Sequence, residues 1–162
     1  MQRQRLAHGA AGAGDADTSD SYGFAEQRLA ASTRTCVYDR ANLGRSDPAP
    51  GPRGFTDLVG DLESLVDTAG IGGPCVLVGT SGGGYIVAGF AAARPQDVAG
   101  IVLVETAAPF VDPPPAVVAE TAWDHPGNVE QRDYLQVERD AWDARAEIGD
   151  IPVTVITNND GP

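Results

Sequence analysis

The segment Cys75-Val-Leu-Val-Gly79-Thr80-Ser81-Gly82-Gly83 constrains this chain more than any other. Four apolar residues in unbroken succession suit a parallel strand buried on both faces. The next five residues are small or glycine, and Gly82–Ala93 stays small and apolar almost all round, which suits a buried helix ending near Arg94-Pro95. A buried strand that turns into a buried helix within two residues implies an α/β layer structure with a mostly parallel sheet flanked by helices and joined by right-handed crossovers.

The rest of the chain alternates in the same way. Thr35-Cys-Val-Tyr-Asp39, Ile101-Val-Leu-Val-Glu105 and Ile151-Pro-Val-Thr-Val-Ile156 are expected strands. Phe55, Leu58, Val59, Leu62, Leu65, Val66 and Ala69 fall at helical spacing, with Gly70 as the stop. A short helix is expected over Ala25–Ala31, and loops over His8–Ser21 and 41–54. Residues 106–127, with Pro109, Pro113, Pro114 and Pro115, are expected to be irregular. Asn128 with Gln131 has capping-box spacing, so a helix is expected from there to Ile148.

The chemistry lies in Gly79-Thr-Ser-Gly-Gly83. G-x-S-x-G between a strand and a helix is the pattern of a turn that projects a serine at the carboxyl end of a sheet. Flanking glycines let strand and helix close together, while the serine takes a strained conformation. The Gly82 N–H, at a helix start, points where an oxyanion would form. No Lys is present for a phosphate-binding P-loop, and no G-x-G-x-x-G follows a strand.

Three landmarks in chain order resemble the α/β-hydrolase superfamily. Val37-Tyr-Asp39-Arg40-Ala-Asn42-Leu-Gly44-Arg-Ser46-Asp47 looks like the stretch after that fold's fourth strand, with Asn42 where Gly is common. Gly79–Gly83 looks like the nucleophile elbow after the fifth, and Gly100–Pro109 like the sixth strand and its turn. The resemblance implies a partial α/β-hydrolase fold with a helical lid: residues 1–106 and 151–162 as an incomplete core, and 107–150 as the lid. It implies a serine hydrolase of ester or related acyl bonds, acting on a small-molecule acyl substrate without cofactor or metal. Ser81 is then the nucleophile. Gly82 is an oxyanion donor. Ala10 is a second donor, on a His8-Gly9 turn following a third strand reduced to Gln4–Ala7. Glu105 or Asp160 is the acid, and lid aromatics such as Trp123 and Tyr134 are substrate contacts. Dehalogenases and epoxide hydrolases of this fold use Asp where Ser81 stands.

The fold's order is serine, acid, histidine. Here the imidazoles are His8 and His125, and none follows Asp160. The chain is thus expected to be cut at both ends and impaired in turnover. The alternatives are a non-catalytic binding protein on the same fold, or a second chain supplying the base. Because the third strand lies between the fourth and fifth, Cys36 and Cys75 are expected to stay unpaired, about 10 Å apart.

Charge adds exclusions. All 11 basic residues are Arg, against 23 acids, for a net charge of −12, which argues against nucleic acid. Residues 54–162 carry 17 of the acids and only four Arg, a field that disfavours anionic substrates. No apolar run is long enough to span a membrane, and a cytoplasmic location is the default expectation.

Overall fold

The computed structural model describes residues 9–12 and 16–158. Five parallel strands form one sheet in the order β2-β1-β3-β4-β5. They are β1 (Gly9–Gly12), β2 (Thr35–Tyr38), β3 (Cys75–Thr80), β4 (Val98–Val104) and β5 (Val153–Ile156). The helices are α1 (Gly23–Ala30), α2 (Phe55–Thr68), α3 (Gly82–Ala93), α4 (Pro115–Glu120) and α5 (Tyr134–Ala144). From β1 the chain moves outward to β2, then returns across β1 to β3 and continues the other way. With right-handed crossovers, that reversal places α1 on one face of the sheet and α2 and α3 on the other. It also makes the gap between the carboxyl ends of β1 and β3 a topological switch point, where open α/β sheets bind ligands.

The core lies on the α2–α3 face. Leu58, Leu62 and Val66 of α2 meet Ile86, Val87 and Phe90 of α3 over Cys75, Leu77 and Ile101 of the sheet, and Val137 of α5 closes the cluster. α2 begins where the Gly54 N–H donates to the Asp57 carboxylate at 2.9 Å, and it stops at Gly70, at φ +59°. α3 is buried nearly all round, as its composition predicts.

Several expectations are corrected. Gly9–Gly12, expected as the turn after a strand, is itself the strand, in register with both Thr35–Tyr38 and Val76–Gly79. Burial along β3 alternates: Cys75, Leu77 and Gly79 are buried, but Val76, Val78 and Thr80 only half-buried, because the α1 face is less covered. The Pro-rich stretch contains α4, with Pro115 at its first position, where a missing N–H costs nothing. α5 begins at Tyr134 rather than near Asn128, with the Asp133 side chain accepting from the Gln136 N–H at 3.0 Å. Asn128 is instead buried, its amide donating to the carbonyls of Ala122 and Arg132. Cys36 and Cys75 are free, with β1 between their strands.

Candidate active site

Ser81 occupies the single residue between β3 and α3, at φ 48° and ψ −124°, outside the basins a residue with a Cβ prefers. Such a conformation persists only when its surroundings hold it from several sides. The Ser81 N–H donates to the Val104 carbonyl at 2.8 Å, and the Ser81 carbonyl accepts from the Gly84 N–H at 2.9 Å and from Thr106 Oγ1 at 3.1 Å.

The glycines are a steric requirement. A Cβ on Gly79 would lie 2.6 Å from Gly84 Cα and 2.7 Å from the Gly83 carbonyl oxygen; one on Gly84 would lie 2.1 Å from Thr106 Oγ1. Gly79→Ala therefore meets backbone that cannot rotate away, and is expected to destabilise the chain by about 1–3 kcal/mol. Thermal unfolding should show a loss of roughly 3–10 °C. Gly60→Ala, in open space within α2, serves as the control and is expected to raise the midpoint slightly. A Gly79→Ala midpoint equal to the parent's would contradict the close approach.

Gly82 is the first residue of the twelve-residue α3, so its N–H is one of the four that the helix itself leaves unbonded, at the positive end of the dipole. Across the turn, Glu105 follows β4 with φ +52°. Its N–H donates to the Ile156 carbonyl at 2.9 Å, and its carboxylate accepts from the Asn158 N–H. Both neighbours of Glu105 hold Ser81, so the carboxylate sits where the ends of β3, β4 and β5 converge. His8 and Asp160 lie outside the described residues.

Ala10 does not stand where the resemblance put it. It is inside β1, level with Cys36 and Leu77, four residues short of Ser81 along the strand direction, or about 13 Å. An interior strand residue directs its N–H into the sheet ladder, so this position does not supply an oxyanion donor.

Sequence reasoning missed Tyr22, whose hydroxyl is hydrogen-bonded to Thr80 Oγ1, immediately before Ser81. Burial raises the Tyr22 pKa, partly opposed by that hydrogen bond and by the Arg40 charge. A lone tyrosine in a polar stretch carries no signal of this contact.

The loop after β2 frames the site. The Asp39 carboxylate accepts from the Ser19 N–H at 2.6 Å and the Arg45 N–H at 2.9 Å, contacts that hold its pKa below the ordinary carboxylate range. Asn42 takes φ +71°, which Asn tolerates better than most residues with a Cβ. Its side chain accepts from the Ala49 N–H and donates to the carbonyls of Ala49 and Glu130. Arg40 and Glu130 form a buried bidentate pair, Nε to Oε2 at 2.7 Å and Nη2 to Oε1 at 2.8 Å. Residues 128–133 are thereby bound into the body of the fold, and the Arg53 N–H donates to the Gln131 carbonyl at 2.8 Å.

The aromatics sort into separate places. Trp123 lines a 360 Å³ cavity with Asp124 and His125, and His125 Nδ1 accepts from the Gly127 N–H at 3.1 Å. Tyr134 lies under the Arg132 guanidinium, 4.0 Å from its ring centre. The cavity beside the β3–α3 turn is a different one, of 210 Å³, and its aromatic walls are Tyr85 and Trp142.

The sequence profile of the alpha/beta hydrolase fold matches residues 6–141. The chain belongs to this family. Among curated relatives, a Hormonema carpetanum protein named as a probable transporter is 36% identical over 89 residues, covering 52% of this chain and 13% of that protein. An AB hydrolase superfamily protein of Gibberella zeae is 34% identical over 97 residues, covering 57% of this chain and 30% of that one. The chain thus spans under a third of the length of these relatives. Among solved structures, a haloalkane dehalogenase from Bradyrhizobium elkani superposes with a TM-score of 0.73 at 17% identity, over 96% of this chain and 74% of that one, a likeness of fold. No helix among the described residues of this hydrolase-fold chain is long and apolar enough to cross a membrane.

Proposed function

We propose that Ser81 is the nucleophile of a serine hydrolase site for an ester or related acyl bond. The carrying observation is the positive-φ serine between β3 and α3, pinned by Val104, Gly84 and Thr106. Ser81 Oγ attacks the acyl carbon and its proton passes to an imidazole base. The carbonyl oxygen, now anionic, accepts from the Gly82 N–H. Collapse breaks the bond to the leaving alcohol, which takes the proton from the base. Water then attacks the acyl-serine and regenerates Ser81. Glu105 orients the imidazole, a role supported by its place between the two residues that hold Ser81. Residues 107–150 act as the lid. The serine separates this site from fold relatives that use Asp there.

Within these 162 residues the imidazoles are His8 and His125, and His125 is bonded within its own loop. This chain alone should therefore show only residual turnover, since a nucleophile without its base retains the contribution of binding and the oxyanion donors. The test is prolonged treatment with a fluorophosphonate, adduct mapping by peptide mass spectrometry, and a p-nitrophenyl acetate assay. The adduct is expected on Ser81 and absent from Ser81→Ala, with slow turnover in both. An adduct on another serine would refute the assignment. Fast turnover lost in Ser81→Ala would show that a base lies within these residues.

A further inference from the structure

The 210 Å³ cavity beside the turn is walled by Tyr85 and Ala88 of α3, Leu103 and Thr106 at the end of β4, and Ala141 and Trp142 of α5. A second cavity, of 330 Å³, shares Ala108 and Trp142 with it and runs on past Phe110 and Val111. They lie side by side, as a trough in two parts, between the 106–111 segment and α5. Three large apolar side chains around it face solvent: Phe110, Val111 and Trp142. Exposed apolar residues are ordinarily scattered singly, and a cluster lining a concavity marks a ligand groove.

The polar groups of the inner chamber are turned inward. The Tyr85 hydroxyl donates to the Ala107 carbonyl at 2.8 Å, and burial pushes its pKa up to about 12, so it stays protonated. Thr106 Oγ1 is spent on the Ser81 carbonyl. Arg145 lies over the Trp142 ring, 4.2 Å from its centre, and donates to the Trp142 carbonyl. The inner walls therefore suit hydrocarbon. Thr106 is at once a wall of the trough and a partner of Ser81, so the trough starts one side chain from the turn.

We propose that this trough holds a linear, uncharged acyl chain of the ester substrate, with Trp142 at the junction where the inner chamber ends. The proposal rests on Ser81 being the nucleophile. At about 30 Å³ for each small group, the inner chamber takes roughly seven carbons. Longer chains must pass Trp142 into the open outer cavity, where each added methylene is less completely buried.

Isothermal titration of the 162-residue chain with n-alkanols from butanol to decanol tests the trough without any carbonyl chemistry. Affinity is expected to rise about fourfold per methylene up to about seven carbons and then level off. Ala108→Phe places a ring where the two cavities join, at an exposed position that does not threaten folding, and should weaken octanol binding at least tenfold. Tyr85→Trp, filling the inner chamber, should do the same. Affinity independent of chain length, or unchanged octanol binding in both variants, would overturn the proposal. A Ser81 adduct without chain-length dependence removes the trough alone. Chain-dependent alkanol binding with the adduct on another serine removes the nucleophile and leaves an apolar-chain site without its ester.

Discussion

Glu130→Ala is expected to destabilise the chain by about 3–5 kcal/mol, because it strands a buried guanidinium. The Arg40 and Glu130 side chains are 3% and 1% exposed, and Glu130 also accepts from the Ala16 N–H at 3.2 Å. The neighbourhood is already rich in buried cations. Arg53 and Arg132 are buried too, and their segments are bridged. Arg53 meets only a half-exposed Asp61, at 2.7 Å. Glu130 is therefore the main buried negative charge of a buried basic knot. A domain of this size has about 5–15 kcal/mol in total, so the loss is a large share of it. Urea unfolding gives the value directly. Arg40→Met with Glu130→Leu, which removes both charges and keeps volume, should recover most of it. A single-variant loss below about 1 kcal/mol would show that the pair is hydrated in solution. A loss shared by the double variant would identify the pair as a clamp joining residues 128–133 to the loop after β2.

The second large effect concerns position 81. Position 81 is half-buried, at the positive end of α3 and next to the Gly82 N–H. A thiolate is stabilised by those features, as cysteines at helix N-termini are. Ser81→Cys should thus carry a thiol that ionises below the ordinary cysteine range. Its alkylation by iodoacetamide at pH 7 should be about tenfold faster than that of a free thiol. The native cysteines give an internal contrast, since Cys75 is 1% exposed and burial raises its pKa.

What the sequence revealed follows from how local each determinant is. The β3–turn–α3 unit was legible because steric closure demands glycine at fixed offsets around Ser81, and α2 because its apolar stripe is periodic. β1 was not, since Gly-Ala-Ala-Gly has no β-propensity; its pairing with β2 and β3 on both sides overrides that. The start of α5 was misplaced because Asn128 and Gln131 have capping chemistry but use it elsewhere. Asn128 braces its own loop, and Gln131 accepts from the Gly51 N–H at 2.8 Å. Asn42, a departure from the family's glycine, turned out to exploit the left-handed tolerance of Asn. That Tyr85 and Trp142 wall the cavity beside the turn was not legible, because composition cannot say which face of a helix meets the sheet. Thr106 and Tyr22 could not be found at all, since their contacts with Ser81 and Thr80 span 25 and 58 residues.

The proposal that position 81 presents a nucleophile to an anion-stabilising turn can be tested without a base at hand. The most direct measurement is the pH dependence of iodoacetamide alkylation in Ser81→Cys, resolved by peptide mass spectrometry against Cys36 and Cys75. An inflection below that of an ordinary cysteine, with alkylation at position 81 leading both native thiols, is the predicted result. An inflection at or above the ordinary value, or labelling no faster than at Cys36, would contradict it.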